Sequence, residues 1–153
     1  MSSSNVRTLV KDFLAAEIPS ETVVDLTAQF DDVKEMLTDQ YALQPDAPWL
    51  GIDFQGDTEE PVSLSADNEK GLYREFGQIQ LHICAMAKIG VGASLLARAE
   101  VLRNLFRGRR IGAIVVESVS PLNTGPGATL EFENGYVSGT VIVAYHFDLT
   151  PGI

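Results

Sequence analysis

Between Arg74 and Ala87 the chain alternates without a break. Gly77, Ile79, Leu81, Ile83 and Ala85 fall on one side, and Gln78, Gln80, His82, Cys84 and Met86 on the other. A period of two sustained this long predicts a long strand with one apolar face. Gly90-Val-Gly92 then reads as the turn out of it. The next run, about Ala93 to Arg107, switches to helical spacing, with Leu95, Leu96, Ala99, Leu102, Leu105 and Phe106 forming a wide apolar stripe. Ser94 is the expected cap. Arg103 and Arg107 suit the negative end of the helix dipole, and Gly108 suits its termination.

The flanking segments supply the rest of a sheet and one more helix. Val6, Leu9, Val10, Phe13 and Leu14 predict an amphipathic first helix, capped by Ser4 or Asn5 and followed by Pro19. Residues 22–30 alternate, with Val24, Leu26, Ala28 and Phe30 on one face, as expected of a half-buried strand. Asp32 and Glu35 resemble a capping box, and Val33, Met36, Leu37 and Tyr41 continue as a short helix. Trp49 to Phe54 reads as a strand. The polar, acidic stretch from Gln55 to Asn68 reads as an exposed loop or loose hairpin. Ile111 to Val119 predicts a mostly buried strand. Residues 129–147 predict a hairpin with Asn134-Gly135 at its turn, whose outgoing strand alternates Val137, Val141, Val143, Tyr145 and Phe147 with polar residues. No internal repeat or linker interrupts the 153 residues, so the expectation is one α+β domain over 1–153. Its layering is a mostly antiparallel sheet with flanking helices on one face.

Charge narrows the function classes. Residues 1–70 hold 15 acids and 4 bases, a net of −11, whereas residues 71–153 hold 6 acids and 7 bases, a net of +1. The overall −10 lacks the basic footprint of a nucleic-acid binder. It keeps the protein soluble, and it also suits an acidic wall that repels DNA. The asymmetry fits contact between identical copies, acidic patch against basic patch. Two clusters are the candidate contact residues. One is Arg103, Arg107, Arg109 and Arg110, with Arg98 earlier on the same helix and Arg74 at the start of the long strand. The other is Asp57, Glu59 and Glu60 in the acidic stretch. Arginine forks pair well with carboxylates across a subunit boundary.

Catalytic patterns are weak. In GVGASL, residues 90–95, Leu95 stands where a dinucleotide fingerprint needs its third glycine. His82, Cys84 and His146 could contribute to a zinc site, but two residues apart on a strand is poor geometry and a fourth ligand is not apparent. Cys84 as a nucleophile would need a base and an electropositive, accessible setting. No Gly-x-Ser-x-Gly elbow occurs. The expectation is a protein that is not an enzyme, with no catalytic residue, cofactor or metal. No apolar run reaches membrane-spanning length, the N-terminus lacks a signal-peptide core, and the single Cys84 fits a reducing compartment.

The run GLYREFGQIQLHICAMAKIGVGASLLARAEVLRNLFRGRRIG, residues 71–112, resembles the middle of the tail terminator proteins of tailed bacteriophages. In that family an Arg and a Gly introduce a long strand, a glycine-containing turn follows, and a Leu-rich helix comes next. Here these are Arg74, Gly77, Gly90/Gly92 and the Leu95–Phe106 helix. The N-terminal helix, the Pro48-Trp49-Leu50 opening of a strand, the glycine-rich loop and the closing strand through Tyr145, His146 and Phe147 are similar too. Residues 31–42 and 55–68 depart from the family. The resemblance implies a virion protein assembled in the host cytoplasm. It would form a homo-oligomeric ring, commonly a hexamer, on the last ring of the tail tube protein. Such a ring ends tail polymerisation, joins the head–tail connector or neck protein, and lets DNA pass through its lumen without sequence-specific binding. Another neck or connector subunit, which would bind capsid components, is the alternative; a small enzyme using Cys84 and His82 is a more distant one.

Overall fold

A computed structural model describes residues 4–26, 48–61, 73–86, 89–124 and 136–149. In chain order these form α1 (Ser4–Glu17), β1 (Val23–Asp25), β2 (Trp49–Pro61), β3 (Tyr73–Met86), α2 (Val91–Phe106), β4 (Arg110–Ile111), β5 (Ile114–Val119) and β6 (Tyr136–Leu149). The six strands make one sheet in the order β1-β2-β3-β6-β5-β4. Only β1 and β2 pair in parallel; the other neighbours are antiparallel. The α+β class expected from the sequence is the class observed.

β3 is the spine. All 14 of its residues pair with β6 without a bulge, from Tyr73↔Leu149 to Met86↔Tyr136. One face of the sheet carries Leu50, Ile52 and Phe54 from β2, and Ile79, Leu81 and Ile83 from β3. Val141, Val143, Tyr145 and Phe147 from β6 complete it, all buried. Both helices cover this face. α1 contributes Val6, Val10 and Leu14, and α2 contributes Leu95, Ala99, Leu102 and Phe106. The two sets recur at three- and four-residue spacing, so each helix turns a single stripe inward. Burying one Leu or Phe of such a stripe contributes about 2 kcal/mol. Phe13 and Phe106 join the helices edge to face, with centroids 5.4 Å apart.

Four local expectations change. α2 starts at Val91 rather than Ala93, and its cap is Gly90, at φ 86° with no side-chain cap bond. Ser94 lies inside the helix, its N–H donating to the Gly90 carbonyl at 3.2 Å. The left-handed backbone at Gly90 turns the chain directly into the helix, so Gly92 belongs to the first turn. The apolar stripe is narrower than its spacing suggests: Leu96 is 54% exposed. Second, β2 does not stop at Phe54. It runs on through the acidic residues to Pro61, opposite Tyr73, after a bulge between Gly56 and Thr58. The long β3 offers an unfilled ladder there, and backbone pairing overrides the polar sequence. Third, Ile111 to Val119 is two strands. Gly112, at φ 59°, and Ala113 form a two-residue turn, as a type II′ hairpin requires. Fourth, β1 is three residues long. The predicted strand beyond Leu26, the helix over 31–42 and the Asn134-Gly135 turn lie outside the described residues. No helix among the described residues is long and apolar enough to cross a membrane.

Candidate functional site

The face of the sheet away from the helices is polar and mixed. At the end where β2 begins and β3 finishes it is closed. His82, Ser138 and Thr140 are buried there beside Trp49 and Cys84. His82 and Thr140 are direct cross-strand partners, with Nδ1 and Oγ1 2.8 Å apart. Burial lowers the His82 pKa, against a smaller upward pull from the Asp53 carboxylate. The surroundings therefore favour the neutral imidazole over the charged form. Cys84 is fully buried, and burial pushes its thiol up to about 12, with Arg98 and a Gly51 backbone bond pulling weakly the other way. A nucleophilic cysteine needs the reverse shift and an open approach. His82 does not act on it either: the Cys84 thiol meets the His82 carbonyl at 3.5 Å, not its ring. Among the described residues no three His, Cys, Asp or Glu side chains converge as a metal would require.

The six predicted cations separate into three settings. Arg98 is turned inward. Its guanidinium donates to the carbonyl of Cys84 at 3.0 Å, to the carbonyl of Trp49 at 3.2 Å, and to the carboxylate of Glu21. It ties the start of β2, the end of β3 and the segment after α1 together.

Arg74 sits at the opposite end of the polar face. It grips Asp148, its direct partner on β6, through Nε at 2.7 Å and Nη2 at 3.1 Å. That fork raises the Arg74 pKa and lowers that of Asp148. His146 lies alongside, 2.8 Å from Glu117, and its ring meets that of Phe76 at a 55° tilt with centroids 6.2 Å apart. Arg110 contributes to the downward shift of Asp148. This end of the sheet thus carries two pairs, Arg74 with Asp148 and His146 with Glu117, with the exposed Arg110 near enough to favour the Asp148 carboxylate. Asp148 and Glu117 were not legible as members of these pairs from the sequence, because their proximity depends on strand register.

The third setting is the end of α2. Arg103 pairs with Glu100 one turn earlier. Arg107 bonds the Asn104 side-chain oxygen at 3.3 Å. Arg109 bonds the Leu105 carbonyl at 3.1 Å and lies over the Phe13 ring at 5.6 Å. Arg107, Arg109 and Arg110 are exposed, and among the described residues none has a carboxylate within ion-pair distance. Of the predicted acids, Asp57, Glu59 and Glu60 lie on β2, in its antiparallel pairing with β3 rather than in an open loop, and Glu59 is exposed. These acids and the α2 cations occupy different elements, but Glu60 is the cross-strand partner of Arg74 in the β2–β3 ladder.

No family model matches this chain, and no curated protein matches it. Solved structures do resemble it in fold. One superposes with a TM-score of 0.55 over 99% of both chains, at 16% sequence identity. The likeness spans the molecule and establishes a shared architecture.

Proposed function

We propose that this protein is a tail terminator of a tailed bacteriophage: a non-enzymatic subunit of a ring that caps the tail tube, ends its polymerisation and joins it to the neck. The observation that carries the reading is the order of elements around β3. An N-terminal helix and a strand opening at Trp49 lead to a 14-residue strand. A glycine turn, a Leu-rich helix and a long closing strand through Tyr145–Phe147 follow. This is the order that the sequence resemblance implies. Two further features support it. Arg107 and Arg109, exposed at the end of α2, have no carboxylate at ion-pair distance among the described residues, in a chain of net charge −10, which suits contact between copies. Burial of Cys84 and His82 leaves the enzyme alternative without an accessible nucleophile.

The test is the mass of the purified protein by light scattering at two salt concentrations, followed by binding to purified tail tubes viewed by electron microscopy. A ring-sized species, or a ring appearing on tube ends, is the expected result. Exchanging Arg107 and Arg109 for Glu should weaken ring formation or docking. Binding to the capsid connector but not to tubes would instead assign the protein to the neck.

A further inference from the structure

We infer that the cleft between the end of α1 and the β1 edge of the sheet binds a small monocarboxylate with an apolar chain, of about four to eight carbons. The site is independent of the tail reading. The cleft has a volume of about 310 Å³, at the small end of the range for ligand pockets. Ala15, Ile18 and Pro19 wall it on the helix side, and Val23 of β1 and Ile52 of β2 on the sheet side. Ile52 is fully buried, so the floor is the edge of the core itself. Ala15 and Pro19 are exposed and form the mouth. An alkyl chain laid along Ile18, Val23 and Ile52 leaves water for an apolar surface, which favours its binding.

The charged groups of the cleft decide the head group. The side chain of Asp25, 8% exposed, accepts from two cations of α1, Arg7 Nη2 at 3.2 Å and Lys11 Nζ at 3.1 Å, both on Oδ2. Arg7 lies over the Phe54 ring, 5.7 Å from its centroid, and is held there. Lys11 lines the cleft and is 46% exposed. An ammonium carries three N–H donors, and among the described residues Asp25 is the only partner of Lys11. Glu21 lines the cleft too, but its carboxylate is taken by Arg98. Arg7, Lys11 and Arg98 thus set three positive charges against the two negative charges of Asp25 and Glu21. One positive charge is left over beside an apolar wall, in a chain of net charge −10. A monoanion balances that charge and takes the spare N–H groups of Lys11, whereas a cationic head meets repulsion there. Asp25 need not move to admit it, because Arg7 and the pairing of Asp25 with Ile52 fix its place.

The experiment titrates the full chain with hexanoate, hexylamine and hexanol and follows backbone amide shifts by NMR. Hexanoate should shift the amides of Ala15, Ile18, Val23 and Asp25 saturably, with a dissociation constant of roughly a few millimolar, as the binding attainable per atom allows for so small a ligand. Hexanol should bind roughly fivefold more weakly and hexylamine more weakly still, the gap narrowing at high salt because Lys11 is half exposed. Lys11→Gln should bring hexanoate down to the level of hexanol, and Lys11→Arg should keep the preference for the acid. Ala15→Leu should narrow the mouth and weaken hexanoate and hexanol together. Lys11 and Ala15 are exposed, so far-UV circular dichroism should stay that of the wild type. The absence of saturable shifts at these amides up to about 50 mM hexanoate overturns the inference. So does equal binding of the amine and the acid, or hexanoate binding that Lys11→Gln and Ala15→Leu both leave unchanged.

Discussion

Tyr145 lies across Gly77, its direct partner on the neighbouring strand. A Cβ at Gly77 would sit 2.5 Å from the tyrosine hydroxyl, 2.7 Å from its Cζ and 2.7 Å from the Gln55 carbonyl oxygen. The ring uses the space that a side chain would fill, and its hydroxyl reaches on to donate to Glu75 Oε2 at 3.2 Å. An aromatic covering a cross-strand glycine buries its own face and shields bare backbone. Gly77→Ala should therefore destabilise by about 3 kcal/mol, at the upper end of overpacking costs. The melting temperature should fall by roughly 6–12 °C for a chain of this size. Adding Tyr145→Phe should not restore it, because Cζ and the Gln55 oxygen stay in place. Thermal denaturation of the two variants checks this.

The His82–Thr140 pair makes stability depend on pH. The folded-state pKa of His82 is lowered, chiefly by burial, while an unfolded histidine titrates near about 6.5. Below that value the unfolded chain binds a proton that the folded chain resists, so stability is lost as pH falls. The loss continues down to the lowered folded pKa and then levels off for this group. Its slope is at most about 1.4 kcal/mol per pH unit. Urea midpoints at about pH 7.5 and about pH 5.5 should differ more in the wild type than in His82→Gln. Equal differences would remove His82 as the source.

Cys84 should be chemically silent. Its thiol is buried and held at about 12, so an aromatic disulfide reagent should label it only as fast as the chain opens. Labelling in denaturant should be immediate and stoichiometric. Rapid labelling of the native protein at neutral pH would contradict the packing between Trp49 and Ser138, its partners on β2 and β6.

These cases show where the sequence is informative. The alternation in β3 and the Leu95–Phe106 stripe predicted the spine and its covering helix, because burial on one face imposes a period that composition alone can express. Val137 to Phe147 was legible for the same reason. The extension of β2 was not. Its Gln55–Pro61 half is polar, and it is a strand because β3 already extends that far. The break at Gly112 was equally hidden, since Ile111 and Ile114 read as one apolar run whether or not a turn separates them. The candidate contact residues were found by charge alone, and charge cannot tell an inward arginine from an outward one. Arg98 and Arg107 look alike in sequence. One reaches two buried strand ends and the other reaches solvent.

That difference gives the last prediction. Arg98 donates to the Trp49 and Cys84 carbonyls and pairs with Glu21. Arg98→Ala strips both carbonyls of a charged donor and leaves Glu21, about a quarter exposed, without its cation. Hydrogen bonds to charged groups contribute about 1.5–3 kcal/mol each, and the lost partners act as one unit. The variant should be less stable by about 2–3 kcal/mol. Arg98→Lys should recover only part of this, because a single ammonium cannot fork between two carbonyls and a carboxylate. Arg107→Ala, on the exposed end of the same helix, should change stability by less than about 0.5 kcal/mol. Denaturant titration at a dilution where any assembly has dissociated separates the two. If Arg98→Ala and Arg107→Ala behave alike there, Arg98 does not clamp the β2–β3 end, and its place among the contact residues is restored.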